Sequence, residues 1–578
     1  MEIQTFACSW QPAAPATRDG TDGWPYSDQP RQPADIISQG ACSTIPYDEL
    51  PEDVLQHIHS FVRMQDAARA ACVSRTFLHL WRCYPNLAFN EETLAVSRQP
   101  LLESEDDRSK YVFSKAQQVL EKHSGIGVKT LKINLSTCSM EDIDSSLLDG
   151  WLRVFIKPGL SELAVSLPEC RSSVPEYIFP YSLLSHGSNS GTIRSLCLAS
   201  CALHPTQCPR LLGCSMSLSK VCLRRVGITG DELWLFLSSC LALESLDLSN
   251  CDMIASLKIP CVLRKLRIVR VLLCKALGTI DNYAPKLSTF AYDGKPLLRL
   301  TLGDKLETKE LDMHTTRMRH MIQYAATNLP TVAPNLETLV LTTDHEKLKA
   351  PVMTDKFQHL KHLAICLGKT GGICAGHDLF SLAFFLDACV ALETFILRIE
   401  DLFGWNTQYY LYPGTPYGDL SQEIPEFRHG GLGKLRKVTI TGFCSAKSLV
   451  ELTCHILETA APSLQRLVLD TSPGYDRKRS SSDRCRPMFV EARWDAERAL
   501  ANVRRYVEPK VPTGVELKVL GPCSRCHTIE RCLAMEIESL GLEPVVKDVE
   551  EFRQKAPLKF LQIQEDGTLG YVIKQPRG

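Results

Sequence analysis

The chain has 578 residues, of which 44% are hydrophobic, and its 65 basic residues nearly balance 66 acidic ones for a formal net charge of −1. Such a balance gives no general attraction for nucleic acid or anionic lipid, so neither is an expected partner. No uncharged apolar run reaches the roughly 20 residues that a membrane-spanning helix needs, and the length suits several domains or one long repeat array.

The first 43 residues are rich in Pro, Ala, Gln, Asp and Gly and show little periodicity. This composition predicts a disordered segment over 1–43.

A short helical module is predicted over residues 44–90. Pro51 suits a first helical position, and the acidic residues at 52 and 53 suit the positive end of the helix. Asp66 is the predicted N-cap of a second helix. A segment of this size rarely sustains its own core, so it must pack on the rest of the chain or on a partner. The apolar stripe of the first helix comprises Leu50, Val54, Leu55, Ile58 and Phe61, and that of the second comprises Cys72, Val73, Phe77 and Leu80.

The segment Leu50–Trp81 resembles the F-box, which docks a substrate receptor onto the Skp-type adaptor of a cullin-based ubiquitin ligase. The match departs from the family where Arg63 and Met64 replace a common proline and Phe77 replaces a common tryptophan. The alternative interpretation is an ordinary amphipathic helix pair. The resemblance implies that seven residues contact the adaptor: Leu50, Pro51, Leu55, Ile58, Val73, Ser74 and Arg75.

Residues 91–127 are predicted to form a helical linker or N-terminal cap, with an amphipathic helix over Lys110–Lys122. From residue 128 a short pattern recurs, in which apolar residues stand at the first, fourth and sixth positions; LESLDLSNC, Leu243–Cys251, is the clearest copy. No single unit can bury its own apolar side, so the units must stack. The thirteen copies begin at residues 128, 160, 193, 218, 243, 263, 287, 309, 336, 360, 392, 435 and 464.

The spacing of these copies predicts leucine-rich repeats over 128–470. Between Leu218 and Leu287 the copies start 25, 20 and 24 residues apart, within the range of about 20–29 residues for such repeats. Unrelated strands of an α/β domain are the alternative, which thirteen copies disfavour. Helical returns between strands are predicted at Asp231–Cys240, Asp378–Cys389 and Ala446–Ala460.

The stretch Leu435–Asp470 resembles the strand–helix–strand, FBD-like segment often found late in plant proteins that join an F-box to leucine-rich repeats. With Leu329–Leu341 and Phe357–Ile365, it makes residues 44–530 similar to the F-box/leucine-rich-repeat family of plants, grasses especially. The predicted fold class is α/β: an N-terminal helical F-box, an irregular leucine-rich-repeat solenoid and a C-terminal α+β cap.

Residues 471–578 are predicted to form this C-terminal cap and a tail. A polar, basic loop is expected at 472–487, a helix over Glu491–Val507 and a strand around Val515–Val519. The remaining residues predict a further helix and a hairpin that turns at Asp566 and Gly567.

Cysteine usage indicates a reducing compartment. The 24 cysteines lie mainly in apolar runs, which is typical of small buried side chains, and the N-terminus MEIQTF lacks the profile of a secretory signal. We therefore expect the protein in the cytoplasm or nucleus.

Cys523, Cys526 and His527 match the spacing of a haem-attachment motif, or with Cys532 could begin a zinc site. A second ligand pair and a haem pocket are both missing from the pattern, so ordinary turn cysteines are favoured and no metal or cofactor is predicted.

These inferences predict a non-catalytic substrate receptor of an SCF-type ubiquitin ligase. The F-box would bind the Skp-type adaptor, and through it the cullin and RING subunits, while the repeats bind an unknown target protein. The alternative is a leucine-rich-repeat scaffold without ligase coupling. An enzyme is disfavoured because no cluster of acid, base and nucleophile is evident in the sequence.

Overall fold

A computed structural model describes most of the chain from residue 50 onward. The chain divides into two compact units, residues 1–51 and 52–578, and Leu50 and Pro51 are the described residues of the first. The predicted disordered segment 1–43 lies outside the described residues. The described residues are 50–94, 105–169, 177–184, 192–205, 217–295, 299–303, 305–315, 320–343, 355–368, 379–399, 432–471, 488, 490–524, 527–529, 531–532, 559–563 and 569–573.

The helical module has three helices where two were predicted: α1 Glu52–Phe61, α2 Met64–Val73 and α3 Arg75–Arg82. The extended backbone of Ser74 (φ −142°, ψ 137°) interrupts the predicted second helix, and its hydroxyl accepts a hydrogen bond from the Phe77 amide to start α3. The predicted N-cap at Asp66 is wrong. That residue lies within the first turn of α2, where its carboxylate pairs with Arg69 at 2.8 Å.

Strands dominate the rest of the described chain. The bounds in chain order are β1 Asn86–Phe89, β2 Thr130–Asn134, β3 Glu162–Ser166, β4 Ser195–Ala199, β5 Lys220–Arg224, β6 Ser245–Ser249, β7 Ser256–Ile259, β8 Ile268–Leu272, β9 Thr279–Asn282, β10 Thr289–Asp293, β11 Arg299–Thr301, β12 Glu310–Thr315, β13 Thr338–Thr343, β14 His362–Leu367, β15 Thr394–Ile399, β16 Lys437–Thr441, β17 Arg466–Asp470, β18 Glu516–Leu520, β19 Lys559–Ile563 and β20 Leu569–Ile573.

Fifteen of these strands form one parallel sheet, in the order β1-β2-β3-β4-β5-β6-β8-β10-β12-β13-β14-β15-β16-β17-β18. Strands β7, β9 and β11 form a second parallel sheet within the same repeats, and β19 pairs with β20 as an antiparallel hairpin. All thirteen predicted repeat copies supply a strand to the large sheet. The stacked strands confirm the predicted α/β solenoid, and β18 confirms the strand expected after the repeats and extends the same sheet.

One repeat copy was predicted out of register. The pattern beginning at Leu263 places a strand over 263–268, whereas β8 begins at Ile268. The register pairs Leu246 with Val269 and Leu248 with Val271, so the residue equivalent to Leu243 is Leu266. Both leucines are buried, which is why the sequence alone did not distinguish them.

Helices fill several of the returns between strands. Helix α4 confirms the prediction over Lys110–Lys122, α6 and α9 confirm two predicted returns, and α10 confirms the helix after the repeats. The predicted return at Asp378–Cys389 is shorter, with a 3₁₀ turn before α8. Helices α5 and α7 were not predicted. The bounds are α4 Glu105–Lys122, α5 Ser145–Phe155, α6 Gly230–Ser238, α7 Met321–Val332, α8 Leu382–Asp387, α9 Lys447–Thr459 and α10 Val490–Asn502.

The core runs along the inner face of the large sheet. Alternate residues of each strand point inward, and the parallel register stacks them on their counterparts in the next strand. One such row contains Leu196, Val221, Leu246, Val269 and Phe290, all fully buried. Each unit therefore buries its apolar side only against its neighbours, as a solenoid requires.

Four consecutive repeats turn sharply through a left-handed residue directly after the strand. Ser200, Arg225, Asn250 and Leu273 have φ values of 57°, 51°, 53° and 55°. Each of their amides donates to the carbonyl of the last residue of the next strand, at 2.5–2.9 Å. Asparagine adopts this conformation at little cost, whereas leucine is strained there.

We therefore expect Leu273→Asn to stabilise the repeats by about 1 kcal/mol, because it relieves left-handed strain at an exposed side chain. The adjacent Leu272→Asn is the matched control, since Leu272 is similarly exposed but lies in the extended backbone of β8. Urea midpoints measure both. Equal shifts for the two variants would contradict the strain argument.

Within the described residues, no helix combines the length and apolar character needed to cross a membrane. The described residues likewise contain no group of three or more His, Cys, Asp or Glu side chains arranged to hold a metal ion. Cys526 lies outside the described residues, so the predicted turn of cysteines is described only in part. There His527 is buried and its Nδ1 accepts a hydrogen bond from the Cys523 amide at 3.3 Å.

Candidate partner-binding surfaces

The helical module is built around aromatic side chains that anchor it to the first strand. Trp81 stacks on Tyr84 with 5.5 Å between ring centroids, and the Tyr84 hydroxyl donates to the Val62 carbonyl at 2.8 Å. Asn86 of β1 donates from Nδ2 to the Ser60 carbonyl at 3.2 Å. The apolar residues that close this core include Leu55, Met64, Ala67, Leu80 and Trp81. The module therefore packs directly on the start of the repeat sheet.

Apolar side chains of the module also face solvent. On α1, Val54, Ile58 and Phe61 lie on one stripe at helical spacing, and Phe61 is 77% exposed. Val73 at the end of α2 is 85% exposed, and Leu78 on α3 is also exposed. Large exposed apolar residues are a candidate interaction surface where they lie together, as the three residues of the α1 stripe do. We call these five residues the module's apolar face.

The seven residues predicted to contact an adaptor lie in different environments. Ile58 is 41% exposed, and Val73, Arg75 and Pro51 are exposed. Leu50 and Ser74 are half-buried, and Ser74 also caps α3. Leu55 is only 5% exposed and belongs to the core of the module. The seven-residue assignment stays a prediction, and exposure supports it for Ile58 and Val73 more than for Leu55.

Three residues of the apolar face were not included in that prediction: Val54, Phe61 and Leu78. Phe61 shares the stripe of Ile58, and its ring meets the ring of His57 edge-on at 4.9 Å, so the helix spacing could have identified it. Leu78 could not be identified in this way, because its direction depends on the break at Ser74 that the sequence pattern did not reveal.

The module also contains a buried histidine. His59 is 2% exposed, and its ring packs edge-on against Tyr84 at 5.5 Å. Among the described residues its Nε2 has no hydrogen-bond partner. Burial lowers the pKa of His59 below its usual 6.5, because the charged ring would lose its hydration. Burial likewise lowers the pKa of His123, which contacts the Tyr84 carbonyl through Nε2 at 3.0 Å.

We expect the module to lose stability as the pH falls below about 6.5 and to keep it above that value. Below that pH the two histidines bind protons in the unfolded chain but stay neutral in the folded one. The free energy of unfolding therefore falls by up to about 1.4 kcal/mol per pH unit for each histidine. His59→Phe keeps an aromatic ring, and it should reduce the pH dependence of stability by the contribution of one bound proton. Thermal midpoints between pH 5 and 8 test this, with the exposed His57→Phe as control; an unchanged slope in His59→Phe would contradict it.

The outer face of the large sheet, here called the open face, carries the second candidate surface. Parallel register aligns five half-buried residues across strands β13 to β17, most of them apolar: Val340, Ala364, Ile396, Thr439 and Val468. An apolar strip spread over five strands suits a protein surface better than a small molecule.

Charged residues border this strip at the start of the strands. Glu337 bridges Lys309 at 2.7 Å and Lys361 at 2.8 Å. These partners, Lys309 first, lower the pKa of Glu337 to about 2. Because exposed ion pairs contribute little stability, these two bridges add charge at the edge of the strip more than they stabilise the sheet.

Two family models match the chain. An F-box domain model matches residues 48–87, which contain the helical module, and the model described as "At1g61320/AtMIF1, LRR domain" matches residues 119–524, more than half of the chain. The second match starts before the predicted repeat region 128–470 and ends after it.

Two curated proteins from Arabidopsis thaliana are similar in sequence. The "Putative FBD-associated F-box protein At1g61330" is 25% identical over 377 residues, which cover 63% of this chain and 77% of that protein. The "F-box protein At3g59000" is 29% identical over 115 residues, which cover 20% of this chain and 22% of that protein.

Proposed function

We propose that this chain, which belongs to the plant F-box/leucine-rich-repeat family, is the substrate-recognition subunit of an SCF-type ubiquitin ligase. One observation carries the proposal: a small module with an exposed apolar face is joined, on one chain, to a long repeat sheet with a second open surface. Such an arrangement binds two partners at once.

The module's apolar face would receive the Skp-type adaptor, and through it the cullin and RING subunits. Ile58, Phe61 and Val73 give this contact an apolar centre, while the exposed guanidinium of Arg75 supplies donors at its side. Exposed aromatic and aliphatic anchors of this kind dominate the energy of protein interfaces.

The open face of the repeats would receive the target protein. The chain itself would form no covalent bond with target or ubiquitin. It would raise the local concentration of the target near the conjugating enzyme, so the rate gain comes from proximity and orientation. The register-aligned strip from Val340 to Val468 is the part of the open face best suited to this role.

Co-purification with a Skp-type adaptor tests the first half of the proposal. We expect the full chain to elute with the adaptor as a stable complex and to support ubiquitin transfer to a captured target when cullin and RING subunits are added. A folded chain that does not bind the adaptor would favour a repeat scaffold without ligase coupling.

Affinity capture with and without proteasome inhibition identifies the target, which should accumulate when degradation is blocked.

We also propose that the protein acts in the cytoplasm or nucleus. Cys72 and Cys261 are exposed free thiols, which suits a reducing compartment. Fluorescence imaging of the tagged full chain tests this; a secretory pattern would contradict it.

A further inference from the structure

We propose that Cys197 and Cys222 on the open face form a reversible disulfide site that reacts with a small two-electron oxidant such as hydrogen peroxide. The two cysteines are directly opposite each other in the parallel register of β4 and β5. Disulfide formation itself does not depend on the proposed function, although any effect on target binding does.

The geometry brings the two thiols together at the surface. Each cysteine is half-buried, and the residues on either side of it in the strand, Leu196 and Leu198 or Val221 and Leu223, are fully buried. Both side chains therefore point to the open face. Neighbouring strands lie about 4.8 Å apart, which is within the Cα separation of about 4.4–6.8 Å that disulfides span.

The local charges favour a reactive thiolate at one of the two positions. A hydrogen bond from Cys222 and the positive charge of Lys220 lower the pKa of Cys197 to about 7. The same hydrogen bond and burial raise the pKa of Cys222, so the pair loses its first proton at Cys197 while Cys222 keeps its own. A partly exposed thiolate beside cations is the form that attacks oxidants.

The reaction balances with peroxide alone. The Cys197 thiolate attacks one peroxide oxygen, which forms an S–O bond and releases hydroxide. Cys222 then attacks the resulting sulfenic sulfur, forming the S–S bond and expelling the second oxygen as water once the proton of Cys222 is transferred. Two thiols are oxidised and one peroxide is reduced to water.

A second cysteine pair in the same chain serves as an internal control. Cys251 and Cys274 follow β6 and β8 and are also hydrogen-bonded to each other, but both are buried. Burial keeps such thiols inert. The two pairs therefore share their chemistry and differ in access to the oxidant.

The experiment treats the folded full chain with hydrogen peroxide, blocks the remaining thiols by alkylation, and digests without reduction. Trypsin separates Cys197, in 195–210, from Cys222, in 221–224, and fragmentation distinguishes Cys197 from the other two cysteines of its peptide, Cys201 and Cys208. We expect a cross-link between Cys197 and Cys222 that dithiothreitol reverses, forming at least about tenfold faster than one between Cys251 and Cys274.

In the variant Cys222→Ser we expect the Cys197 sulfenic acid to accumulate and to be trapped by dimedone, since the resolving thiol is gone. Retention of both thiols while other cysteines are oxidised would overturn the proposal. Cross-linking of the buried pair at a similar rate would also overturn it, because the reaction would then report unfolding instead of a built site.

Discussion

Replacing Ile58 and Val73 together with aspartate should abolish capture of this protein by a Skp-type adaptor, with an expected loss of at least about 100-fold in affinity. Both side chains lie on the module's apolar face, 41% and 85% exposed. In a complex each new carboxylate would be buried without a partner, and about 1.4 kcal/mol per site already lowers affinity tenfold. Because neither residue contributes to the core, the free module should keep its fold.

A matched control carries the same change elsewhere. Trp234 and Phe384 lie on return helices of the repeats and are 42% and 47% exposed, so replacing them with aspartate adds equal charge at apolar sites outside the module. This second double variant should bind the adaptor like the parent chain. Titration calorimetry measures affinity and circular dichroism checks the fold; wild-type affinity in Ile58→Asp/Val73→Asp would remove the adaptor assignment. Leu55→Asp is a poor test, since it would damage the core.

The repeat strands could be predicted from the sequence because each one depends on a local alternation of apolar and polar residues that the fold uses directly. The copy at Leu243 shows this, since Leu246 and Leu248 are its inward residues. The pattern failed where two alignments both place leucine inside, at Leu263 and Leu266. There only the hydrogen-bond register of the neighbouring strand selects one.

Other elements lacked a local signal. Strand β1 has four residues and no preceding repeat pattern, and it is defined by its pairing with β2. The second sheet consists of short returns that are paired only with each other. In the module, the spacing predicted the stripe of Val54, Ile58 and Phe61 on α1, but Leu55 of the same predicted stripe is buried, and the break at Ser74 changed the direction of the apolar residues of α3. Which apolar residues of the module are exposed therefore depends on the packing of its three helices more than on the helical spacing of the sequence.

Gly442→Ala should destabilise the repeats by about 3 kcal/mol, the largest effect that we expect from a methyl group added at any described glycine. Gly442 follows β16 with φ +77°, a conformation that alanine adopts only with strain. Its added Cβ would also collide with the carbonyl oxygen of Ile399 and lie 3.1 Å from the Ile399 Cβ. The backbone cannot move aside easily, because the next residue, Phe443, is buried and its amide donates to the Asp470 carbonyl at 2.8 Å.

Gly433→Ala is the control, since a Cβ at that position meets no atom within 4 Å. Urea unfolding of the full chain should show a lower midpoint for Gly442→Ala and a nearly unchanged one for Gly433→Ala; equal midpoints would refute the close approach.

In a solenoid each unit contacts only its neighbours, so the damage should stay near β15 and β16. Gly442→Ala should therefore still bind the adaptor through the distant helical module, whereas Ile58→Asp/Val73→Asp should keep stable repeats and lose the adaptor. The two variants together separate the binding surface of the module from the stability of the repeats.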